Sequence, residues 1–315
     1  MLRIKSGVKM PDHFVIPSPS YGINHTLGGG FWTGRYHLLW GNFSVGKTTL
    51  LLHTMAKAQE MGYTPVIVDA ERSYTDLHAE RCGIDLDDRE VLQSNVLQDI
   101  EKEVIPMMQD KHKKYAFLID SINGIATETF YKKDDGGGGM AYGSRARVEL
   151  MMKMSEYLHP VNNVVFMVAQ QTTDISGTHP RLMAKIGKAE EHWTTNIIRL
   201  FGSFDKRNIV RNEETQLIEK KHVRWDIEKC KQAPVEGTRG EYYLIPKTMQ
   251  IDKKSEIIQL ALVNNIIENR GAWYYFEEEK WNGIKSLTND INKDTIDKIL
   301  VRLEAKDDWV LNDED

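Results

Sequence analysis

A glycine-rich stretch that ends in lysine and threonine has the spacing of a phosphate-binding loop. It fits the pattern G-x-x-x-x-G-K-[ST] over residues 41–48. The glycines let successive backbone N–H groups face one anion, and the helix predicted to follow adds positive charge at its N-terminus. Lys47 is expected to reach the β- and γ-phosphates of ATP, and the Thr48 hydroxyl to bind Mg²⁺. The residues predicted to hold the nucleotide here are Gly41, Asn42, Phe43, Ser44, Val45, Gly46, Lys47, Thr48 and Thr49.

Two apolar segments that end in acids supply further candidates. Asp120 ends the apolar run 115–119, and such an acid holds the Mg²⁺ shell beside a phosphate-binding loop. Glu71 follows the apolar run 66–68, where a carboxylate could orient the attacking water of ATP hydrolysis. The residues alone leave a second interpretation open, in which Glu71 only caps a helix that begins near Thr75.

Short β-rich runs alternate with helical runs through most of the chain. This alternation predicts an α/β fold, with a mainly parallel, twisted sheet covered by helices on both faces. The predicted strands are 36–40, 64–69, 115–120, 163–169, 195–202, 222–229 and 241–245. The predicted helices are 48–61, 75–82, 99–110 and 144–158.

The pattern also predicts a division of the chain. An N-terminal arm over 1–22 precedes a nucleotide-binding core over 23–250, and a small α/β domain over 253–306 precedes an acidic tail over 307–315. Two stretches interrupt the core at about 132–147, which contains a run of glycines, and at 172–188, which is polar and aperiodic. We expect both to be loops with a function.

Composition, charge and cysteine content indicate the cellular compartment in which the chain works. The chain has 315 residues, 28% of them charged, with a net charge of -5. Its two cysteines, Cys82 and Cys230, are far apart, which favours a reducing compartment and no disulfide framework. The N-terminus lacks the apolar region of a signal peptide, and no apolar run approaches the ~18 residues of a membrane span. We therefore expect a cytoplasmic protein without a membrane partner.

The residues around Glu71 resemble those of the RecA recombinase family. Residues 68–71 and 78–85 are similar to the family's stretch from its catalytic glutamate into the adenine-contacting helix. The resemblance implies that Glu71 activates water. It places Thr75 and His78 at the adenine contacts, where the family usually has an acid and a tyrosine, and Asp76 could replace that acid.

The resemblance continues through the two interruptions. Gln170 matches the glutamine that senses the γ-phosphate and orders the second DNA-binding loop. Lys229 and Lys231 match a lysine pair that reaches the ATP of a neighbouring protomer. For DNA contacts, the resemblance implies Met140 and Arg145 in the first loop and Ile175 in the second. Cations that could bind phosphates complete the set, namely Arg147, Arg181, Lys185 and Lys188.

The resemblance implies an ATP- and Mg²⁺-dependent DNA strand-exchange recombinase. It would form a helical filament on single-stranded DNA and pair that strand with a homologous duplex. Residues 1–13 are too short for the helix with which bacterial members dock onto the next protomer. The alternative is a RecA-like ATPase without strand exchange, such as a hexameric helicase or a recombination mediator.

Overall fold

A computed structural model describes residues 13–132, 139–175, 180–202, 209–212 and 214–305. Its strands are β1 Val15–Ile16, β2 Phe31–Trp32, β3 Tyr36–Gly41, β4 Tyr63–Asp69, β5 Glu90–Leu92, β6 Lys114–Asp120, β7 Val164–Ala169, β8 Gln171–Asp174, β9 Arg181–Ala184, β10 Asn196–Phe201, β11 Ile209–Arg211, β12 Ile218–Cys230, β13 Arg239–Ile245, β14 Gln250–Ile251, β15 Glu268–Arg270, β16 Trp273–Phe276 and β17 Glu279–Asn282. Its helices are α1 Tyr21–Thr26, α2 Lys47–Glu60, α3 Asp76–Arg81, α4 Leu97–Gln109, α5 Glu128–Lys132, α6 Gly139–Ser155, α7 Lys188–Trp193, α8 Lys253–Val263, α9 Ile284–Asp290 and α10 Lys293–Glu304, with a 3₁₀ turn at Ile122–Gly124.

One large sheet organises the molecule. Its strands follow the order β14-β13-β12-β10-β3-β7-β6-β4-β5, with β11 paired to β12. The six strands from β10 to β5 are parallel, and the pairs from β12 outward are antiparallel. The predicted α/β class with a mainly parallel sheet is therefore confirmed.

Helices cover both faces of this sheet because the central strands are apolar on both. Every residue of β3 and β7 is buried. Successive side chains of a strand point to opposite faces, so Leu39 packs in the cluster that contains α2 and Leu38 in the cluster that contains α4 and α6. The parallel strands thus end at a common edge, where the loops that follow them meet.

A smaller apolar cluster lies toward the C-terminus. It joins α8, the three-stranded sheet β15–β17, α9 and α10 around residues such as Ile258, Trp281 and Leu287. Its elements combine helices with an antiparallel three-stranded sheet. The domain boundaries stay a prediction.

Two stretches differ from the sequence expectation. Part of 172–188 is not a loop, because β8 and β9 pair as an antiparallel hairpin. Strands of four residues are too short to give a clear period, so pairing across the chain decides them. Helix α6 begins at Gly139, within the predicted first loop, whereas 133–138 and 176–179 lie outside the described residues.

Helix α1 also begins inside the predicted arm. Ser20 caps it by accepting a hydrogen bond from the Ile23 N–H, at a sequence too short and too close to prolines to show a helical period. Among the helices of the described residues, none combines the length and the apolar character that crossing a membrane requires.

Candidate active site

The predicted phosphate-binding loop connects the carboxyl end of β3 to the N-terminus of α2. Two of its positions require glycine. Gly41 has a φ of 145°, and a Cβ there would lie 1.8 Å from the Leu200 carbonyl oxygen of neighbouring β10. Gly46, which precedes α2, has a φ of 97°, which side chains rarely allow. The loop therefore opens onto a helix N-terminus, as anion binding requires.

Lys47 is folded back over this loop. Its ammonium group donates to the carbonyl oxygens of Gly41 at 3.0 Å and Asn42 at 2.9 Å. Burial lowers the pKa of Lys47, and the nearby carboxylates of Asp120 and Glu71 oppose that shift. The cation is thus held where the loop would hold phosphates.

Thr48 and Asp120 form a pair of oxygen donors beside the loop. The Thr48 hydroxyl donates to Asp120 Oδ2 at 2.5 Å. Burial raises the pKa of Asp120 to about 6; the Thr48 hydrogen bond lowers it and the Glu71 charge raises it. Mg²⁺ prefers one or two protein oxygens together with substrate phosphates, so this pair fits the metal. No cluster of three His, Cys, Asp or Glu side chains that could hold a metal occurs among the described residues.

Glu71 lies on the same edge of the sheet. Neighbouring strands β4 and β6 end in register, with Asp69 opposite Asp120, and Glu71 lies two residues beyond the end of β4. The carboxylate of Glu71 accepts hydrogen bonds from the Ser121 hydroxyl and, at 2.9 Å, from the Gln170 amide. It does not cap α3, because Thr75 performs that role by accepting from the His78 N–H. The carboxylate is thus oriented by two donors and remains exposed.

The candidate contacts to the adenine base lie beside the first turn of α2. His78 Nε2 is 3.0 Å from the Thr49 hydroxyl in the first turn of α2. Burial lowers the pKa of His78, so its ring is neutral at neutral pH. Thr75 is exposed, whereas the carboxylate of Asp76 pairs with Arg89. His78 is the side chain of this group that contacts the loop helix.

Gln170 joins this site to the β8–β9 hairpin. It follows β7, and its side chain donates to Glu71 while its backbone oxygen accepts from the Lys185 N–H at 2.8 Å. Two residues that the sequence reasoning missed, Ser121 and Asn123, also contact this junction. The available signal was their position, since both polar residues follow the strand that ends in Asp120.

The candidate DNA contacts fall into two groups. Ile175 is 79% exposed beside the hairpin, and the side chains of Arg145, Arg181, Lys185 and Lys188 are also exposed. Arg147 is buried and pairs with Glu190 at 2.8 Å, so its guanidinium does not face solvent in this structure. Met140 belongs to α6, but its side chain lies outside the described part of the structure.

Lys229 and Lys231 are not brought to the loop. They lie at the amino end of β10, where Ile197 pairs with Lys229, whereas Gly41 is opposite Leu200 toward the carboxyl end. Lys229 donates to the Glu191 carbonyl oxygen and Lys231 to that of His192 at 2.6 Å. The lysine pair therefore occupies the opposite edge of the sheet from the nucleotide loop.

This fold and loop define a P-loop nucleotide-binding protein with a RecA-like core. Among known proteins, the model of the RecA N-terminal domain matches residues 4–234, so the chain belongs to the RecA family. It is 28% identical to the mitochondrial DNA repair protein recA homolog of Dictyostelium discoideum, over 93% of this chain and 63% of that protein. It is 27% identical to the RecA protein of Ectopseudomonas oleovorans, over 95% of this chain and 84% of that protein. It is 26% identical to the RecA protein of Mesoplasma florum, over 93% of this chain and 87% of that protein.

Proposed function

We propose that this chain is an ATP-dependent DNA strand-exchange recombinase. It assembles as a filament on single-stranded DNA and acts with Mg²⁺ in homologous recombination and repair. The observation that carries the proposal is the position of Gln170, which touches the candidate catalytic carboxylate and also forms the root of the exposed hairpin. One residue thus links nucleotide chemistry to the surface that would contact DNA.

The candidate site contains the groups that ATP hydrolysis needs. ATP supplies the phosphoanhydride bond and Mg²⁺ the counter-charge. Lys47 would bind the β- and γ-phosphate oxygens, Thr48 and Asp120 would hold the metal, and Glu71 would orient the water. The hydrogen bonds from Ser121 and Gln170 fix the Glu71 carboxylate in position before substrate arrives.

The hairpin and the start of α6 provide the surface for a single strand. Ile175, Leu182 and Met183 are exposed apolar side chains of the hairpin region, and Arg181 and Lys185 add positive charge beside them. Apolar groups can contact bases while cations neutralise phosphates, which is the combination that binding of single strands requires. Gln170, when it turns from Glu71 to the γ-phosphate, would move the root of the hairpin.

The opposite position of the lysine pair supports action between neighbouring copies. Four strand residues separate the register of His37, opposite Asn196, from that of Gly41, which corresponds to about 13 Å along β3. Lys229 and Lys231 therefore lie far from their own loop, and we propose that they leave the carbonyl oxygens of Glu191 and His192 to reach the nucleotide of the next copy. A head-to-tail contact of this kind builds a helical filament when its rotation does not close, and a ring when it does; we propose the filament.

The cysteines are compatible with a reducing cytoplasm. Cys82 and Cys230 are both buried and free. We propose the cytoplasm as the place of action, where DNA and ATP are both accessible.

Electron microscopy with single-stranded DNA and a non-hydrolysable ATP analogue tests the proposal. We expect helical filaments that form with the analogue and are lost without nucleotide, together with pairing of the coated strand to a homologous duplex. Closed rings, or filaments without pairing, would favour the RecA-like ATPase that does not exchange strands. Equal coating of DNA without nucleotide would contradict the proposed control of DNA binding by the nucleotide.

A further inference from the structure

The root of the β8–β9 hairpin is held by a side chain from a third element. Asn123 lies in the 3₁₀ turn that follows Asp120. Its Oδ1 accepts from the Gln170 N–H at 2.6 Å, and its amide nitrogen donates to the Lys185 carbonyl oxygen. The Lys185 N–H in turn donates to the Gln170 carbonyl oxygen at 2.8 Å. These three residues form a closed ring of hydrogen bonds.

This ring replaces a missing bond of the hairpin ladder. Opposite residues of an antiparallel pair exchange two N–H···O bonds when they are a hydrogen-bonded pair. Gln171 is paired with Ala184, so Gln170 and Lys185 form the next pair, and only the bond from Lys185 to Gln170 is direct. The carboxamide of Asn123 is inserted where the reverse bond would form.

Only a side chain with both a donor and an acceptor can make the two hydrogen bonds of Asn123. The Gln170 N–H can only donate and the Lys185 carbonyl can only accept, which fixes the orientation of the Asn123 amide between them. Aspartate would keep the acceptor but direct a second oxygen at the Lys185 carbonyl. Leucine has a similar size and could make neither bond.

Asn123 also lies next to the catalytic edge. Asp120 and Ser121 precede it in the chain, and Ser121 donates to the same Glu71 carboxylate that accepts from Gln170. The two connections from Glu71, through Ser121 and through Gln170, therefore meet again at Asn123. The side-chain amide of Asn123 therefore connects the two strands at the hairpin root to the turn that carries Ser121.

We propose that Asn123 is the positioning residue that couples nucleotide occupancy to the hairpin, an inference that rests on the proposed function. An isolated two-stranded hairpin is marginally stable, so the contacts at its root govern its order. Asn123 holds both strands at that root. A displacement of Gln170 by the γ-phosphate is therefore transmitted to β8 and β9 together, and the two strands move as one unit.

The test compares the affinity for single-stranded DNA with and without a non-hydrolysable ATP analogue. The variants are Asn123→Asp, which loses the donor, and Asn123→Leu, which loses both bonds; Asn282→Ala, an exposed asparagine of β17, is the control. In both Asn123 variants we expect the ratio of the two affinities to fall about fivefold or more, as the loss of one or two hydrogen bonds implies. Affinity for the analogue, DNA affinity without it and the thermal midpoint of Asn123→Asp should stay near the parental values.

The outcomes separate the two proposals. A parental protein whose DNA affinity does not respond to nucleotide contradicts the proposed function, and with it the coupling. A parental protein that responds, together with Asn123 variants that respond equally, overturns the role of Asn123 alone. A purely structural role would lower the thermal midpoint and the DNA affinity both with and without the analogue, and would leave the ratio of the two affinities unchanged. That result also overturns the coupling.

Discussion

At the scale of single residues, each charged group of the site has a different kind of hydrogen-bond partner. Lys47 is held by backbone carbonyls, Asp120 by a hydroxyl, and Glu71 by Ser121 and Gln170. Each charged group is thus positioned without a direct ion pair to another of the three. We infer that phosphates and a metal would have to displace hydrogen bonds here and not ion pairs.

Replacement of Lys47 tests the phosphate loop. In Lys47→Ala we expect ATP affinity to fall roughly 10- to 100-fold, because a charge-assisted hydrogen bond to the phosphates is lost. Titration calorimetry with the analogue measures this. Lys57→Ala on the same helix is the control, since Lys57 is half-buried and pairs with Glu60 away from the loop. ATP affinity within twofold of the parent in Lys47→Ala would contradict the assignment of Lys47.

Replacement of Glu71 separates binding from hydrolysis. Glu71→Gln keeps the shape and the bond from Ser121 but loses the charge that activates water, so we expect the turnover rate to fall roughly 10²- to 10⁴-fold with ATP affinity retained. Steady-state hydrolysis in the presence of DNA measures this. Glu80→Gln, an exposed acid on α3, is the control. Unchanged turnover in Glu71→Gln would place the base elsewhere.

The buried carboxyl of Asp120 predicts a pH dependence of the free protein. Burial raises its pKa from 3.8 to about 6, so the folded state holds this proton more tightly than the unfolded state does. The resulting stabilisation is fully present below pH 3.8 and is lost as the pH rises through about 6. As the pH rises from 4 to 7, the free energy of unfolding of Asp120→Asn should therefore increase by about 2 to 3 kcal/mol relative to that of the parent.

Urea unfolding of both proteins without nucleotide, at a series of pH values, measures this difference. A difference in the free energy of unfolding that stays constant with pH would contradict the shifted pKa. The same variant should lose its Mg²⁺-dependent ATP binding, since an amide is a poorer ligand for the metal than a carboxylate.

At the scale of elements, α6 places two arginines in different environments. Arg145 is exposed, whereas Arg147, two residues later on the helix, is buried against Glu190 at the start of α7. Positions two apart on a helix do not share a face, so one can contact a ligand while the other fixes α6 to α7.

The two arginines form a matched pair of variants. In Arg145→Ala we expect weaker binding of single-stranded DNA, with the slope of log affinity against log salt reduced by about 0.7, and no change in stability. In Arg147→Ala we expect the free energy of unfolding to fall by about 3 to 5 kcal/mol, because the buried Glu190 carboxylate loses its counter-ion and keeps only the hydrogen bond from the Gly187 N–H. Fluorescence titration at several salt concentrations and urea unfolding measure the two effects. Parental DNA affinity in Arg145→Ala would remove it from the interface.

At the scale of the whole molecule, the sheet separates two functional edges. The loop, Asp120 and Glu71 lie where the parallel strands end, and Lys229 and Lys231 lie where β10 begins. A single copy therefore presents the candidate nucleotide loop on one side and a pair of lysines on the other. This polarity is what head-to-tail assembly needs.

Mixing of two inactive variants tests the assembly. A chain with both Lys229→Ala and Lys231→Ala keeps its loop, and Lys47→Ala keeps the lysine pair. If the lysines act on a neighbour, an equal mixture should recover about a quarter of the parental hydrolysis, the share of random head-to-tail contacts that are complete. Hydrolysis measured over DNA checks this, and no recovery above the sum of the separate variants would contradict action between copies.

The sequence by itself determined the features that depend on local spacing. The phosphate loop, the acid-ended strands and the alternation of strands and helices are all written in short segments, because backbone geometry and period act within a few residues. The proximity of Thr48 and Asp120 was also predictable, since the parallel strands of one sheet end at one edge; their role as metal ligands stays a prediction.

Only the tertiary structure decided which partners the polar groups take. It buried Arg147 against Glu190, paired β8 with β9, and inserted Asn123 between Gln170 and Lys185. These contacts join residues up to tens of positions apart, and no local period records them. The physical reason is that a hydrogen bond depends on the distance and angle between two groups, which only the packed chain sets.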